Sequence, residues 1–442
     1  MRLSLLILLL QIVHSSFCQN SFIGHGGVYF LGNANVPVST EHYSNPNING
    51  VVVRFRWNEL EPTPGNFDWT YIDGEIAKAT NYNKKVSLQP LSVPNWLSSL
   101  GVQQYYYLDK NPYHLTYGQI LSGIIPWDSI YVNRYKILLE NLATKYATNS
   151  TVTYVNAIGV SFSRNLPDSV ITDTVLLSKH AFWTAYDYDA DMLGSLSNQI
   201  TDYYMELFPN TALWCSVDYV LFEQKASNRS MNYLASTITN YGIENYPDRF
   251  GLWREDLSGC NPNLANLSEG SHWYIMKENP CRIGAQMLWS VQDGPDRMNK
   301  CGIFPSTKPI VLNAAINKGL ELGMLYIEIY GADILDEDLS INILQANNSL
   351  INKAIDCNSS VGFYEESNLI NMLLYPNPSI DKINIKSLHS EIETVFIYNT
   401  LGEKLIQSTN TNFIDLRSLS RGIYFIVIKM RNRYITRKVV KQ

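Results

Sequence analysis

Val51-Val-Val-Arg-Phe-Arg-Trp57 and, after a polar stretch long enough for a helix, Lys85-Val-Ser-Leu-Gln-Pro90 are the runs from which the fold is read. Each is a short apolar segment of strand length, and the strand-then-helix order favours neighbouring strands that lie parallel. Working outward, the same texture recurs at Gly27–Leu31, Val152–Phe162, Ala212–Val217, Phe250–Arg254, Ile283–Ser290 and Gly323–Tyr330. Helical stretches such as Ile130–Thr148 and Leu193–Leu207 sit between. Eight such units are what a (β/α)₈ barrel of the α/β class requires. A doubly wound sheet competes with it, but no Gly-rich phosphate loop follows any early strand. The stretch from Ser21 to Cys357 exceeds the ~250 residues of a plain barrel and fits one with loop insertions.

The 442 residues are 45% hydrophobic, 17% charged and 12% aromatic. That composition excludes a disordered chain, a collagen-like repeat and a disulfide-dense mini-protein. Net charge is −6, too mild for the concentrated basic face that a nucleic-acid partner needs. The mildness conceals a division: residues 358–442 carry 11 Lys and Arg against 7 Asp and Glu, and the rest carries 23 against 33.

Residues 1–18 read as a signal peptide. Arg2 precedes an apolar run, Leu3–Val13, too short to span a membrane, with small residues Ser16 and Cys18 before a cut ahead of Gln19. No later run resembles a transmembrane segment. Export places the cysteines in an oxidising compartment, and five remain after cleavage, so at least one lies outside any intrachain disulfide. Cys260, Cys281 and Cys301 lie close in sequence and are the disulfide candidates. No CxxC or HExxH spacing supports a metal, and no cofactor is implied.

Residues 358–371 are polar and read as a linker. From 372 onward, short alternating runs at Lys382–Lys386, Thr394–Tyr398, Phe413–Leu416, Gly422–Lys429 and Ile435–Val440 predict a small antiparallel Ig-like sandwich. Tyr375-Pro-Asn-Pro378, Ile383-Asn-Ile385, Ile397-Tyr-Asn-Thr-Leu-Gly402, Ile414-Asp-Leu416, Gly422-Ile-Tyr-Phe425 and Arg437-Lys-Val-Val-Lys441 follow in order. That succession resembles the C-terminal sorting domain of the type IX secretion system of Bacteroidetes. The resemblance implies that the type IX machinery is a partner and that the protein is secreted or held at the outer-membrane surface.

A second resemblance lies in the barrel's second unit. Val53-Arg-Phe-Arg-Trp57, Glu59-Leu-Glu-Pro62, Pro64-Gly65, Phe67-Asp-Trp69 and Ile72-Asp73 lead to Lys85-Val-Ser-Leu88 and Val93-Pro-Asn-Trp96. With Ile125-Pro-Trp-Asp128 and Lys145-Tyr146, this is similar to clan A glycoside hydrolases, the β-galactosidase-like TIM barrels. The resemblance implies O-glycosyl hydrolysis of an oligo- or polysaccharide, with an acid/base Glu after the fourth strand and a nucleophile Glu ending the seventh. This chain departs from both. The fourth run continues as Gly159-Val-Ser-Phe-Ser-Arg-Asn-Leu-Pro-Asp168, with Asn165 in the acid/base place and Asp168 as the nearest substitute. The seventh carries Gln286, with Asp293 beyond it.

Glycoside hydrolysis needs two carboxyls, and in barrels they stand at the C-terminal ends of strands. Glu328 in Tyr326-Ile-Glu-Ile-Tyr330 is the strongest remaining candidate, because a mid-strand Glu is costly to bury unless it is paired or faces a polar cleft. A catalytic role and a structural ion pair with Arg54 or Arg56 are both open at this point. Glu255 and Asp256 face the same choice. Arg54 can hold a substrate hydroxyl or a carboxylate. Trp57, Trp96, Trp127, Trp183, Trp253 and Trp289, with Tyr330 and the Tyr105–Tyr107 cluster, are candidates for stacking on sugar rings or for plain core packing. Three functions follow: hydrolase, carbohydrate-binding pseudoenzyme, or surface scaffold.

Overall fold

A computed structural model describes residues 22–109, 115–157, 169–172, 175–178, 187–217, 233–267, 272–359, 372–387, 392–399, 403–409, 411–430 and 433–442. Eight parallel strands close a barrel in chain order: β1 (Gly27–Leu31), β2 (Gly50–Arg56), β3 (Lys85–Leu91), β4 (Val152–Ala157), β5 (Ala212–Ser216), β6 (Phe250–Leu257), β7 (Ile283–Met287) and β8 (Tyr326–Tyr330). All eight expected runs are barrel strands. β8 starts three residues later than expected because Gly323, at φ +86°, ends the helix Lys308–Leu322 in the left-handed conformation that glycine adopts cheaply.

Two cores follow from the strand period of two. One parity, including Val53, Phe55, Leu88, Val155, Leu252 and Ile327, packs outward against the helices. The other fills the barrel with Tyr29, Val52, Tyr154, Trp214, Trp253 and Tyr326. Rings meet there at 4.3 Å (Tyr29–Tyr326) and 4.7 Å (Tyr154–Trp214). Small neighbours make the space. A Cβ at Gly50 would lie 2.3 Å from the Tyr29 ring, and one at Gly251 would lie 2.5 Å from Trp214.

The helices are set by local chemistry. Asp128 caps Ser129–Tyr146 by accepting from the Ile130 and Tyr131 amides, and Tyr131, Tyr135, Leu138 and Leu142 form its buried stripe. Asp189 caps Ala190–Leu207 in the same way through the Met192 amide. One feature was not expected: Gln104–Leu108, Ile120–Ile124, Ser169–Thr172 and Val175–Ser178 form a four-stranded antiparallel sheet in the excursions that follow β3 and β4. Its Tyr105–Tyr107 segment reads from sequence only as an aromatic cluster.

After the barrel, the helix Ser340–Ser359 takes in the first two residues of the expected linker. The tail then forms a three-stranded and a four-stranded antiparallel sheet around Ile383, Ile385, Val395, Ile397, Ile414, Ile426 and Ile428. Met372–Tyr375 and Lys404–Thr409 are strands beyond the five expected. Tyr398 and Val427 of the tail pack on Leu344 of the last barrel helix. Disulfides join Cys260 to Cys301 and Cys281 to Cys357. Cys281 therefore finds its partner outside the three clustered cysteines, 76 residues away, because β7's entry and the end of the last helix meet in space. Cys215 is buried and in neither bond. Among the described residues no helix is long and apolar enough to cross a membrane.

Candidate active site

Along each strand the inward positions change character toward the C-terminal end. Aromatic and small residues come first, followed by Arg54 on β2, Gln89 on β3, Asn156 on β4, Gln286 on β7, and Glu328 and Tyr330 on β8. Gln89, Asn156, Gln286 and Glu328 are all buried, at 2%, 1%, 8% and 0% exposure. Several of their polar atoms have no hydrogen-bond partner among the described residues: Gln89 Oε1, both amide atoms of Asn156, Arg54 Nε and Glu328 Oε2. Buried polar atoms are rarely left so in a finished core, and a cluster of them at the catalytic end of a barrel marks a place built for polar contacts.

Glu328 is the centre of the group. Its Oε1 accepts from the Tyr326 hydroxyl at 2.8 Å and from Trp253 Nε1 at 3.1 Å. Burial raises its pKa to about 7, against the stabilising pull of those donors and of the Arg54 charge. Neither arginine takes the ion-pair role that the sequence left open. Arg54 donates to the Gly32 carbonyl at 3.2 Å, and Arg56 pairs with Glu59 at 2.8 Å on the surface. The structural ion pair is therefore excluded as the reason for Glu328's burial.

Beside Glu328, Gln286 donates to the Tyr330 hydroxyl at 3.4 Å, and Trp289 lies 6.0 Å from the Tyr330 ring with Arg297 stacked 3.8 Å over it. The loop carrying Trp289 is held from beneath. Asp333, fully buried, accepts from Ser290 Oγ (2.8 Å) and from the Val291 (3.0 Å) and Gln292 (2.9 Å) amides. Arg54, Gln286, Trp289, Tyr330 and Glu328 are thus brought to one end of the barrel.

Trp57 and Trp96 are not. Trp57 is buried behind β2, its Nε1 donating to Glu61 Oε2 at 2.7 Å, and its ring lies 6.1 Å from Trp96. Trp96 donates to the Glu61 carbonyl at 2.8 Å and lies under Arg134. Both rings wall a buried Glu61–Arg134 ion pair, so packing is what they do. Asn165 and Asp168 lie outside the described residues, as does Trp183. Gln89 and Asn156 are site residues that the sequence reading passed over. Each is a polar residue late in an apolar run, on the inward parity, and that combination was available as a signal. Among the described residues no group of three His, Cys, Asp or Glu could hold a metal.

Comparison with known proteins divides the chain in two. Residues 39–157 match the family described as beta-galactosidase, and residues 373–442 match the family described as secretion system C-terminal sorting domain. Among solved structures, the chain is similar to the catalytic domain of a beta-amylase from Paenibacillus polymyxa, at 11% identity over 76% of this chain and 98% of that one, TM-score 0.43. It is also similar to an endo-beta-1,4-glucanase from Xanthomonas axonopodis pv. citri, at 9% identity over 73% and 99%, TM-score 0.43. A third is endo-glycoceramidase II from Rhodococcus sp., at 13% identity over 70% and 74%, TM-score 0.41.

Proposed function

We infer that this chain, a glycoside-hydrolase-like barrel with a C-terminal sorting domain of the type IX secretion system, hydrolyses O-glycosidic bonds in an oligo- or polysaccharide outside the cell. The observation that carries the reading is Glu328. It is a buried carboxyl whose proton is held to about pH 7, midway along β8 and one inward step below Tyr330 at the end where barrel enzymes work. A carboxylic acid that keeps its proton near neutral pH is the group that glycoside hydrolysis needs to protonate a leaving oxygen. The amides of Gln89, Asn156 and Gln286 offer the paired donors and acceptors that sugar hydroxyls require. Trp289 and Tyr330 offer flat faces with polar edges for the C–H side of a pyranose ring.

A second reading, carbohydrate binding without turnover, rests on Gln286, an amide at the β7 position where the resemblance implies a nucleophile. A panel of aryl glycosides and polysaccharides separates the two. Turnover of any member supports the hydrolase, retention on a polysaccharide gel without turnover supports the pseudoenzyme, and the absence of both leaves the scaffold.

Export is tested separately. Deleting residues 372–442 is expected to hold the barrel in the periplasm, as fractionation and blotting would reveal. Normal release of the truncated chain would remove the sorting role from the tail.

A further inference from the structure

The last two long barrel helices, Lys308–Leu322 and Ser340–Ser359, border a cleft that is lined with carboxamides. Asn313 and Asn317 line it from the first helix, one turn apart. Asn342, Gln345 and Asn352 line it from the second, at spacings that keep side chains on one helix face. Helices of a barrel present apolar stripes to their neighbours, and along this line the stripes are polar and uncharged. The tail closes the cleft. Phe425 and Lys438 are cross-strand partners in its four-stranded sheet, and both line the space. Val427, on the same sheet face as Phe425, packs with Tyr398 on Leu344 of the second helix. About 400 Å³ is left between the helices and the tail, within the ~300–1,000 Å³ of small-ligand sites.

Two donors in this cleft are unsatisfied. Asn342 is 2% exposed, and its Nδ2 has no hydrogen-bond partner among the described residues. The buried Nε2 of Gln345 is in the same state. A buried donor without an acceptor costs free energy, so two of them beside one space point to a ligand that brings the acceptors. Among the described residues no carboxylate lines the cleft, so it suits neither a metal cation nor hydrolysis of a glycoside. Lys438 carries the one charge among the described lining residues, and it is exposed.

We propose that this cleft is a second carbohydrate site, which binds a short neutral stretch of saccharide without cleaving it. A carboxamide presents a donor and an acceptor together and carries no charge, which is what neighbouring sugar hydroxyls match. Phe425 adds a flat apolar face for the C–H side of a ring. An anionic ligand would meet a single lysine, where anion sites gather several charged donors. The lining side chains stand on helices outside the barrel wall, so β7 and β8 separate them from the mouth. A polysaccharide held here is bound whether or not the mouth turns it over, and the inference goes beyond the hydrolase reading without needing it. Because Phe425 belongs to the tail, the site is complete only while the tail is joined to the barrel.

The test uses the full chain with maltotetraose, cellotetraose, xylotetraose and β-1,4-galactotetraose as probes, read by hydrogen–deuterium exchange and mass spectrometry. At least one sugar is expected to slow exchange in both helices, 308–322 and 340–359. Affinity at the cleft is taken from the sugar concentration that half-protects 340–359. Asn342→Leu is expected to lose about tenfold in that affinity, the scale of one neutral hydrogen bond. Its unfolding midpoint is expected to stay level or rise, because Leu removes an unsatisfied buried donor. Asn317→Ala, at an exposed position, is expected to weaken binding with an unmoved midpoint. Trp289→Ala, at the mouth, is expected to leave protection of the two helices as it was. Protection of neither helix by any of the four sugars, protection by tetraalanine alone, or an unchanged affinity in Asn342→Leu would overturn the proposal. Protection without turnover of any glycoside leaves this site standing while the hydrolase reading falls, and turnover without protection does the reverse.

Discussion

Glu328→Gln is expected to abolish turnover and at the same time to stabilise the protein at pH 8. Both effects come from the carboxyl's position. Burial holds its folded-state pKa at about 7, above the ordinary 4.5, so the folded protein binds this proton more tightly than the unfolded chain does. The stability that follows is complete below the unfolded value, declines as pH rises through the interval, and is gone above the folded value. A shift of this size corresponds to about 3 kcal/mol between acid and alkaline conditions.

Gln has the same shape and can still accept from Tyr326 and Trp253, but it carries no charge to desolvate. Unfolding in urea at pH 4, 6 and 8 is expected to find the two proteins similar at pH 4 and E328Q more stable by about 2 kcal/mol at pH 8. The groups that face Glu328 are Tyr326, Trp253, Arg54 and Glu255, and of these only Arg54 opposes the upward shift with a positive charge. Parallel pH profiles would show that Glu328 is not held protonated, and would remove the basis for its role as acid. A residue whose replacement stabilises the fold while stopping the reaction is one kept for chemistry rather than for packing.

Arg134→Ala is expected to cost about 3–5 kcal/mol, the usual result of leaving one buried charge without its partner. Glu61 is fully buried, accepts from Trp57 Nε1 and the Gly65 amide at 2.7 Å each, and is ion-paired to Arg134. The guanidinium also lies 5.1 Å over the Trp96 ring, so truncation removes a cation–π contact as well as the charge. The loss is read from urea midpoints at pH 7. Replacing both members by neutral residues of similar volume, as in E61Q/R134M, is expected to recover most of it, because the penalty lies in the orphaned carboxylate. A cost under about 1 kcal/mol for Arg134→Ala would mean that solvent reaches Glu61 and that the pair is a surface bridge.

This pair also explains the most recognisable stretch of the chain. Glu61 and Gly65 belong to the Glu59-Leu-Glu-Pro62 and Pro64-Gly65 segment, and Trp57 and Trp96 bracket it. These residues give the sequence its likeness to the β-galactosidase-like barrels, and in the folded protein they brace β2 against the helix Ser129–Tyr146. The recognisable residues are structural here, and the likeness reports the fold.

Whatever depends on local period was legible in the chain: the eight barrel strands, the helices between them, the tail's alternating runs, and Glu328 as an ionisable residue in an apolar strand. Parity along a strand is a property of the strand alone, and it needs no knowledge of neighbours. Register, by contrast, exists only once strands are paired and the barrel has closed. That is why the pairing of Gln286 with Glu328 and the Cys281–Cys357 bond had no counterpart in the sequence reading. Each joins residues that only the closed tertiary structure brings together.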